Sequence, residues 1–352
     1  MKNLARTMLA AAAIALTPSA VLAQGAQLQL PDVSPHATVS QAVGLTEIAI
    51  DYHRPAINDR QIWGALVPWD TVWRAGANEN TTISFSTPVR VQGKDVEAGT
   101  YGLHMIPRSS GDWTLILSNQ SRAWGSFAYD ESKDALRVNV SPEPGRNRDR
   151  LLYVFDDPTA SSVTAALEWE TLRVPFRIDV DVQNTVLADI REQLTGQQQF
   201  FWQPWNQAAN WMLNNEGDLA EAEVWVDRSI GINRTFQNLQ TKASILERRG
   251  NVQQARTLRG QAMDISTEQD LNFYGYQLLG QERIDDAIAI FQRNVDKHPE
   301  SWNVYDSLAE AYARKGEIRL AIEGYEKARR MTTNPQQRSR IDQVLRGLRS
   351  DS

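Results

Sequence analysis

The chain has no cysteine and only four histidines among its 352 residues. The absence of cysteine excludes disulfides, thiol nucleophiles, iron–sulfur clusters and thiolate zinc sites, so the fold must be stabilised by packed hydrophobic cores. The sequence signatures of phosphate-binding loops, serine hydrolases and helical zinc proteases are also missing. From motifs alone, we therefore predict no catalytic residue, no metal site and no cofactor.

Long hydrophobic runs are scarce as well, and the one that stands out lies at the N-terminus. Lys2 and Arg6 precede an apolar run over residues 8–16, which is too short to span a bilayer, and small residues follow at a cleavage position. We predict a signal peptide over residues 1–23 with cleavage after Ala23. This predicts a periplasmic or secreted protein with no membrane span after cleavage; the alternative is an uncleaved membrane anchor.

Charge of either sign is not concentrated anywhere in the chain. The formal net charge is −6, and acidic and basic residues are scattered among one another. Proteins that bind nucleic acid present a basic patch or stripe, so we predict no nucleic-acid partner. The charge pattern leaves the oligomeric state open.

Apolar and polar residues alternate across the N-terminal half, which indicates strands with one buried face. The clearest run contains Val174, Phe176 and Ile178 at every second position. Eight or nine such runs, separated by turn residues, predict an antiparallel β-sandwich over residues 28–183, or a partly closed barrel. Pro175 lacks the N–H that a neighbouring strand would need, so we expect its strand at a sheet edge.

The apolar period becomes helical near residue 184. Residues 184–199 are predicted to form a linker helix and a polar joint. Beyond them, small alanines recur about every 33 residues, a period typical of stacked helical hairpins. We predict such hairpins with a capping helix over residues 200–349, so the fold class is α+β multidomain, a β-sandwich followed by an α-solenoid. The recurring alanines are Ala222, Ala255, Ala287 and Ala321.

The array resembles tetratricopeptide repeats at further positions. Gly275, Leu308, Ala309 and Tyr312 occupy the places of helix-packing residues in that family. The resemblance implies that the first helix of each hairpin lines a groove for a protein or peptide partner. Side-chain amides in a groove suit hydrogen bonding to an extended peptide backbone; the alternatives are a solvated helix face and a groove filled by the protein's own chain. The groove-facing residues, carried over by position, are Gln207, Trp211, Asn214, Gln240, Asn272, Tyr276, Asn303 and Asp306.

A cluster of tryptophans and arginines lies between His53 and Asn80. Prolines and glycines exclude one continuous helix or strand, so we expect a long ordered loop. Its forked arginine donors and flat indole faces would suit a pocket for a small polar or glycan-like ligand. Alternatively, the tryptophans plug the end of the sandwich while the arginines bond to carbonyls of the loop. The candidate ligand-binding residues are Arg54, Arg60, Trp63, Trp73, Arg74, Asn78 and His104.

Several ordered motifs in this half of the chain resemble an exported bacterial family known only as domain of unknown function 2911. They include residues 60–68, 72–78, 98–101 and 134–138, and the resemblance spans about residues 34–182. It implies an exported domain to which no reaction has been assigned.

These patterns favour an exported, non-enzymatic binding or scaffold protein. In that hypothesis the repeats hold a protein or peptide partner, and the β-domain binds a small polar or glycan-like ligand. The alternative is an envelope hydrolase or metal-assisted enzyme that uses His53 and His104 together with Arg54 and Arg74. A single histidine within a strand is more often a hydrogen-bonded structural residue, so the binding hypothesis is preferred.

Overall fold

The computed structural model describes residues 30–350, and the predicted signal peptide lies outside the described residues. The chain divides after Val182 into two compact units, Met1–Val182 and Gln183–Ser352. Residues 30–182 contain the strands and are called the β-domain below, whereas the second unit contains the helical hairpins. Among the described residues, no helix combines the length and the apolar character needed to cross a bilayer.

Two antiparallel sheets form the β-domain. The strands are β1 (His36–Val43), β2 (Thr46–His53), β3 (Thr82–Phe85), β4 (Val89–Val91), β5 (Lys94–Val96), β6 (Gly99–Ile106), β7 (Trp113–Ser118), β8 (Asp134–Val140), β9 (Glu143–Asp156) and β10 (Ser162–Asp179). One sheet has the strand order β1-β2-β3-β6-β7-β8, and the other has the order β5-β4-β10-β9.

Side chains from both sheets share one hydrophobic core. Ile48 and Ile50 on β2 are fully buried, as are Phe176 and Ile178 on β10. Because successive residues of a strand point to opposite faces, the alternating pattern places these side chains together between the sheets. Full burial of a side chain of this size contributes about 1.5–3 kcal/mol. The packing confirms the β-sandwich expected from the sequence.

Pro175 does not lie on an edge strand, so that expectation is wrong. It belongs to β10, which has β4 on one side and β9 on the other. The pairing with β9 ends at Arg173, and the pairing with β4 begins at Ile178. Pro175 therefore lies between the two ladders, where no paired residue needs the N–H that proline lacks.

The helices are α1 (Val182–Gln193), α2 (Trp202–Asn214), α3 (Leu219–Ile232), α4 (Phe236–Arg248), α5 (Val252–Ile265), α6 (Glu268–Gly280), α7 (Ile284–Lys297), α8 (Trp302–Lys315), α9 (Ile318–Met331) and α10 (Pro335–Ser350). After α1, they form four helical hairpins, α2 with α3, α4 with α5, α6 with α7 and α8 with α9, and α10 follows the last hairpin. Side chains cap the N-termini of several of these helices. At the start of α4, the Thr235 side chain accepts from the Asn238 N–H, and the Asn238 side chain accepts from the Thr235 N–H.

Small residues allow the two helices of a hairpin to approach closely. The four recurring alanines, on α3, α5, α7 and α9, are completely buried. Gly275 on α6 is equally constrained, since a Cβ there would lie 2.4 Å from a ring carbon of Phe291 on α7. Close packing of this kind requires small side chains at fixed positions, which explains the period of the sequence. The predicted α-solenoid of helical hairpins is confirmed.

The turns inside these hairpins contain a residue in the left-handed backbone conformation. In the second and fourth hairpins this residue is Gly250 and Gly316, each with a φ of 85°. The third hairpin has Glu282 near the same place, at a φ of 61°. A residue with a Cβ is strained in this conformation, whereas glycine is not.

Candidate functional site

A cavity of ≈ 490 Å³ lies in the β-domain beside the long loop between β2 and β3. Its volume is in the range that binds small organic ligands. Trp73, Trp169 and Phe127 contribute to its apolar walls, and Arg60 and Arg74 bring charge to it. Within the described part of the chain, its lining contains no aspartate or glutamate. We call it the Arg74 cavity.

Four tryptophans pack together at this end of the β-domain, and two of them, Trp73 and Trp169, also line the cavity. The ring of Trp63 lies edge-on to those of Trp73, Trp113 and Trp169, with centroids 5.8, 5.0 and 5.8 Å away. Trp73 and Trp169 stack at 6.1 Å. Trp63, Trp113 and Trp169 are buried, so they belong to the end of the sandwich core, and the partly buried Trp73 joins that core to the cavity wall.

Two arginines of the long loop are used to hold the backbone. Arg54 Nε donates to the carbonyl of Leu151 at 3.0 Å. Arg60 donates to the carbonyls of Ile57 and Ala56, at 3.0 and 2.6 Å. A long loop has few regular backbone partners, so these donors satisfy carbonyls that would otherwise lack one.

The amide of Asn78 is engaged in the same way. Asn78 adopts a left-handed backbone at a φ of 55°, and its Nδ2 donates to the carbonyl of Ser34 at 3.4 Å. This amide therefore ties the loop to the segment before β1. It does not line the Arg74 cavity.

Arg74 differs from both loop arginines, because no hydrogen bond or ion pair engages its guanidinium within residues 30–350. Its Nε is buried without a hydrogen-bond partner. The guanidinium carbon lies 6.0 Å from the ring centroid of Phe127, and a Cβ on Gly125 would lie 2.3 Å from Nη1. Burial lowers the pKa of Arg74 below its ordinary value, and the charge of Glu79 opposes that shift in part.

His104 lies on β6, on the sheet face opposite to the sandwich core, and is 2% exposed. Its Nδ1 is 2.9 Å from Oγ of Ser126, in the segment between β7 and β8. Tyr129 of the same segment lies 5.6 Å away, centroid to centroid. Burial lowers the pKa of His104 to about 4, so its imidazole is neutral at neutral pH.

The structure does not bring His53 and His104 into the Arg74 cavity, since neither residue lines it. His53, at the end of β2, has its Nε2 3.4 Å from Glu79 and 4.0 Å from Asp32. Across residues 30–350, no group of three or more histidine, aspartate or glutamate side chains is placed to hold a metal ion.

Three of the seven candidate ligand-binding residues line the cavity, namely Arg60, Trp73 and Arg74. The other four point elsewhere: Trp63 into the core, Arg54 and Asn78 to backbone carbonyls, and His104 to Ser126. Ser126 and Phe127 were missed from the sequence. They come from a turn-rich segment with no period that could have marked them.

The helical array has a second candidate site at one repeated position. The fifth residue of each first helix is polar and at least partly buried, and we call these four the fifth-position residues. They are Asn206 on α2, Gln240 on α4, Asn272 on α6 and Asp306 on α8.

Three of the fifth-position residues have a buried polar atom without a partner. These atoms are Oδ1 of Asn206, Nε2 of Gln240 and Oδ1 of Asn272. Asp306 differs, since Arg340 on α10 donates to its Oδ1 at 2.6 Å. Burial raises the pKa of Asp306, and Arg340 opposes that shift.

Three other predicted groove residues, Tyr276, Asn303 and Trp211, have contacts within the helical array. The hydroxyl of Tyr276 donates to Glu310 at 2.9 Å, and burial is the main cause that raises the pKa of Tyr276 to about 12. Asn303 Nδ2 donates to Glu268 at 3.3 Å. Trp211 packs against the hydrophobic cluster of the first hairpin.

Gln207 and Asn214 are both exposed on α2. Counting back from the alanine of the first repeat predicts Gln207 as the groove residue, but the fifth residue of α2 is Asn206. The turn between α2 and α3 is one residue longer than the turn between α4 and α5. By its place in the helix, Asn206 is the counterpart of Gln240 and Asn272, and the assignment of Gln207 to a groove stays a prediction.

The two units define the class of the protein as a β-sandwich domain followed in the chain by an array of helical hairpins. Residues 34–178 match the family described as "Protein of unknown function (DUF2911)". The family resemblance expected from the motifs is thus confirmed for the β-domain. No curated protein matches the chain.

Several solved structures are similar to part of this chain, and one of them is described as a tetratricopeptide-repeat protein. YrrB, described as a TPR protein with an unusual peptide-binding site, is 15% identical over 46% of this chain and 83% of its own, with a TM-score of 0.27. MamA from Desulfovibrio magneticus RS-1 is 18% identical over 43% and 85%, with a TM-score of 0.27. PilF from Pseudomonas aeruginosa is 19% identical over 42% and 69%, also with a TM-score of 0.27.

Proposed function

We propose that this protein is an exported binding protein whose helical hairpins hold an extended segment of a protein or peptide partner. The observation that carries the proposal is the row of unpartnered polar atoms on Asn206, Gln240 and Asn272. A buried polar atom without a partner costs about 1–3 kcal/mol, so three of them at one repeated position favour a ligand that supplies the missing bonds.

The chemistry of these atoms favours a peptide backbone as the ligand. Oδ1 of Asn206 and of Asn272 can accept a hydrogen bond, whereas Nε2 of Gln240 can donate one. An extended backbone presents N–H and C=O groups, so it can satisfy both kinds of atom whatever its side chains are. The helices hold these amides in fixed positions, which limits the entropy lost on binding.

The experiment selects 12-residue peptides from a displayed library on the immobilised full-length mature chain. The affinity of each selected peptide is then measured by fluorescence polarisation. Gln240→Met with Asn272→Leu keeps the side-chain volume and removes both unpartnered amides. We expect about tenfold weaker binding or more, because two hydrogen bonds to the peptide are lost.

Gln254→Met, at an exposed position on α5, is the matched control and should leave the affinity unchanged. The melting temperature of the double variant should not fall, since the amide atoms that it removes have no partner in the free protein. Peptides that bind the double variant as tightly as the native chain, or a library that yields no peptide, would contradict the proposal.

The second part of the proposal concerns the β-domain. The Arg74 cavity has room for a small polar or glycan-like ligand, and its walls combine indole surface with guanidinium donors. Export is supported by the basic start, the apolar run and the small residues in the first 23 positions.

A further inference from the structure

Arg74 stands out among the arginines of the long loop because its donors have no acceptor among the described residues. Arg54 and Arg60 each donate to backbone carbonyls. Arg74 instead lines the cavity with a buried and unpartnered Nε. An arginine does not lose its proton at neutral pH, so Arg74 keeps its charge although its Nε is buried, and an anion would neutralise that charge.

The surroundings of Arg74 favour an anionic ligand over a neutral one. Arg60 and Arg74 both line the cavity, while the part of its wall that the structure describes contains no carboxylate. The whole chain carries a net charge of −6, whereas the charged side chains that line this cavity are positive. Glu79 raises the pKa of Arg74, but this carboxylate is more than half exposed and its effect is smaller than that of burial.

The size and the walls of the cavity favour a carboxylate over a phosphate. A carboxylate carries one charge and matches a guanidinium in two parallel hydrogen bonds. A phosphate monoester carries nearly two charges at neutral pH and costs more to desolvate against walls such as Trp73, Phe127 and Trp169. A volume of ≈ 490 Å³ accommodates a carboxylate together with a flat apolar body.

We propose that the Arg74 cavity binds a small organic acid with an aromatic body, and that Arg74 is the salt-bridge partner of its carboxylate. This inference rests on the proposed binding of a small ligand by the β-domain and names its chemical class. The aromatic body lies along the indole and phenyl walls, and Phe127, which is 85% exposed, stands at the rim.

The test uses the full-length mature chain and two pairs of probes, which are 3-phenylpropionate with 3-phenylpropionamide and glucuronate with glucose. Binding is measured by isothermal titration calorimetry and by tryptophan fluorescence, since Trp73 and Trp169 line the cavity. We expect phenylpropionate to bind about tenfold more tightly than its amide, which corresponds to one charge-assisted hydrogen bond. We expect phenylpropionate also to bind more tightly than glucuronate.

Arg74→Met removes the charge and keeps an apolar chain of similar reach. It should reduce the affinity for phenylpropionate to that for the amide, while the affinity for the amide stays the same. The melting temperature of the free variant should not fall, because the buried Nε has no partner to lose. Arg90→Met, at an exposed position on β4 outside the cavity lining, is the matched control and should change nothing.

Equal affinity for acid and amide, or phenylpropionate binding that survives Arg74→Met, would overturn the assignment of Arg74. Tighter binding of glucose or glucuronate than of phenylpropionate would overturn the aromatic acid as the class, while the proposal of a small ligand in the β-domain would stand. The absence of saturable binding for all four probes would overturn both.

Discussion

At the scale of single residues, burial leaves His104 neutral but leaves Arg74 charged at neutral pH. Burial lowers the pKa of both groups. His104 responds by staying neutral, and its Nδ1 has a partner in Ser126. Arg74 cannot become neutral at neutral pH, so its unpartnered Nε remains a feature that a ligand can relieve.

The depressed pKa of His104 makes the stability of the β-domain depend on pH. The unfolded chain takes up a proton on this residue near its ordinary pKa of 6.5, whereas the folded chain does so only at about 4. The stabilising contribution is therefore complete above pH 6.5 and is lost as the pH falls towards 4. From pH 7 to pH 5 we expect a loss of about 2 kcal/mol in the free energy of unfolding.

Urea unfolding of the native chain and of His104→Gln at pH 7 and pH 5 checks this expectation. The variant should lack this part of the loss, even if it is less stable at both pH values. His36→Gln, at an exposed histidine, is the control and should keep the loss. The neighbouring Tyr129 does not interfere, because burial raises its pKa far above this range. The same pH dependence in His104→Gln and in the native chain would contradict the assignment.

At the scale of elements, the sequence predicted periodic features well and contacts between distant segments poorly. The alternation around Ile178 and the period of the alanines are local patterns, and both led to the correct elements. Near Pro175 the pairing of β10 changes from β9 to β4. The residue at which each pairing ends depends on distant segments, so no local sequence pattern predicts it. The Arg74 cavity likewise depends on Ser126 and Phe127, whose approach is set by the packing of a non-repetitive segment.

The third hairpin offers a test of backbone strain. Glu282 is exposed, and its φ of 61° is one that glycine adopts without strain. Glu282→Gly should stabilise the second unit by roughly 0.5–1 kcal/mol, because the relief of strain exceeds the entropy that glycine adds to the unfolded chain. This corresponds to a melting temperature about 1–4 °C higher, measured by circular dichroism.

Glu300→Gly is the control for that variant, since Glu300 is also exposed and lies in a turn but does not have a positive φ. It should leave the melting temperature unchanged or lower it. A decrease for Glu282→Gly that matches the decrease for Glu300→Gly would show that the hairpin turn stores no strain.

At the scale of the whole molecule, a β-domain that matches the DUF2911 family over residues 34–178 precedes a helical array in one chain, and each unit has its own candidate site. We propose a small organic acid as the ligand of the Arg74 cavity and an extended peptide backbone as the ligand of the fifth-position residues. The order of the two units in the chain followed directly from the change of apolar period near residue 184. The chemistry of the two sites did not, because it depends on which polar atoms lack partners once the chain has folded.

The proposed export can be tested by expressing the chain with residues 1–23 retained in a bacterial host. We expect the protein in the envelope fraction or the medium, with Gln24 as its first residue by N-terminal sequencing. Ile14→Arg interrupts the apolar run and should leave the full-length chain in the cytoplasm. Gln27→Arg, beyond the cleavage position, is the control and should be exported normally. A native chain that keeps Met1 or its next residues in the cytoplasm would disprove export.

The four packed indoles of the β-domain also have an optical consequence. Rings whose centroids are 5.0–6.1 Å apart couple their electronic transitions, and such coupling gives a paired band in the ultraviolet circular dichroism spectrum. That band reports the sandwich core, whereas the helical minimum mainly reports the hairpins. The two signals allow the order in which the units unfold to be followed in one unlabelled sample, and their transitions coincide only if the chain unfolds in a single step.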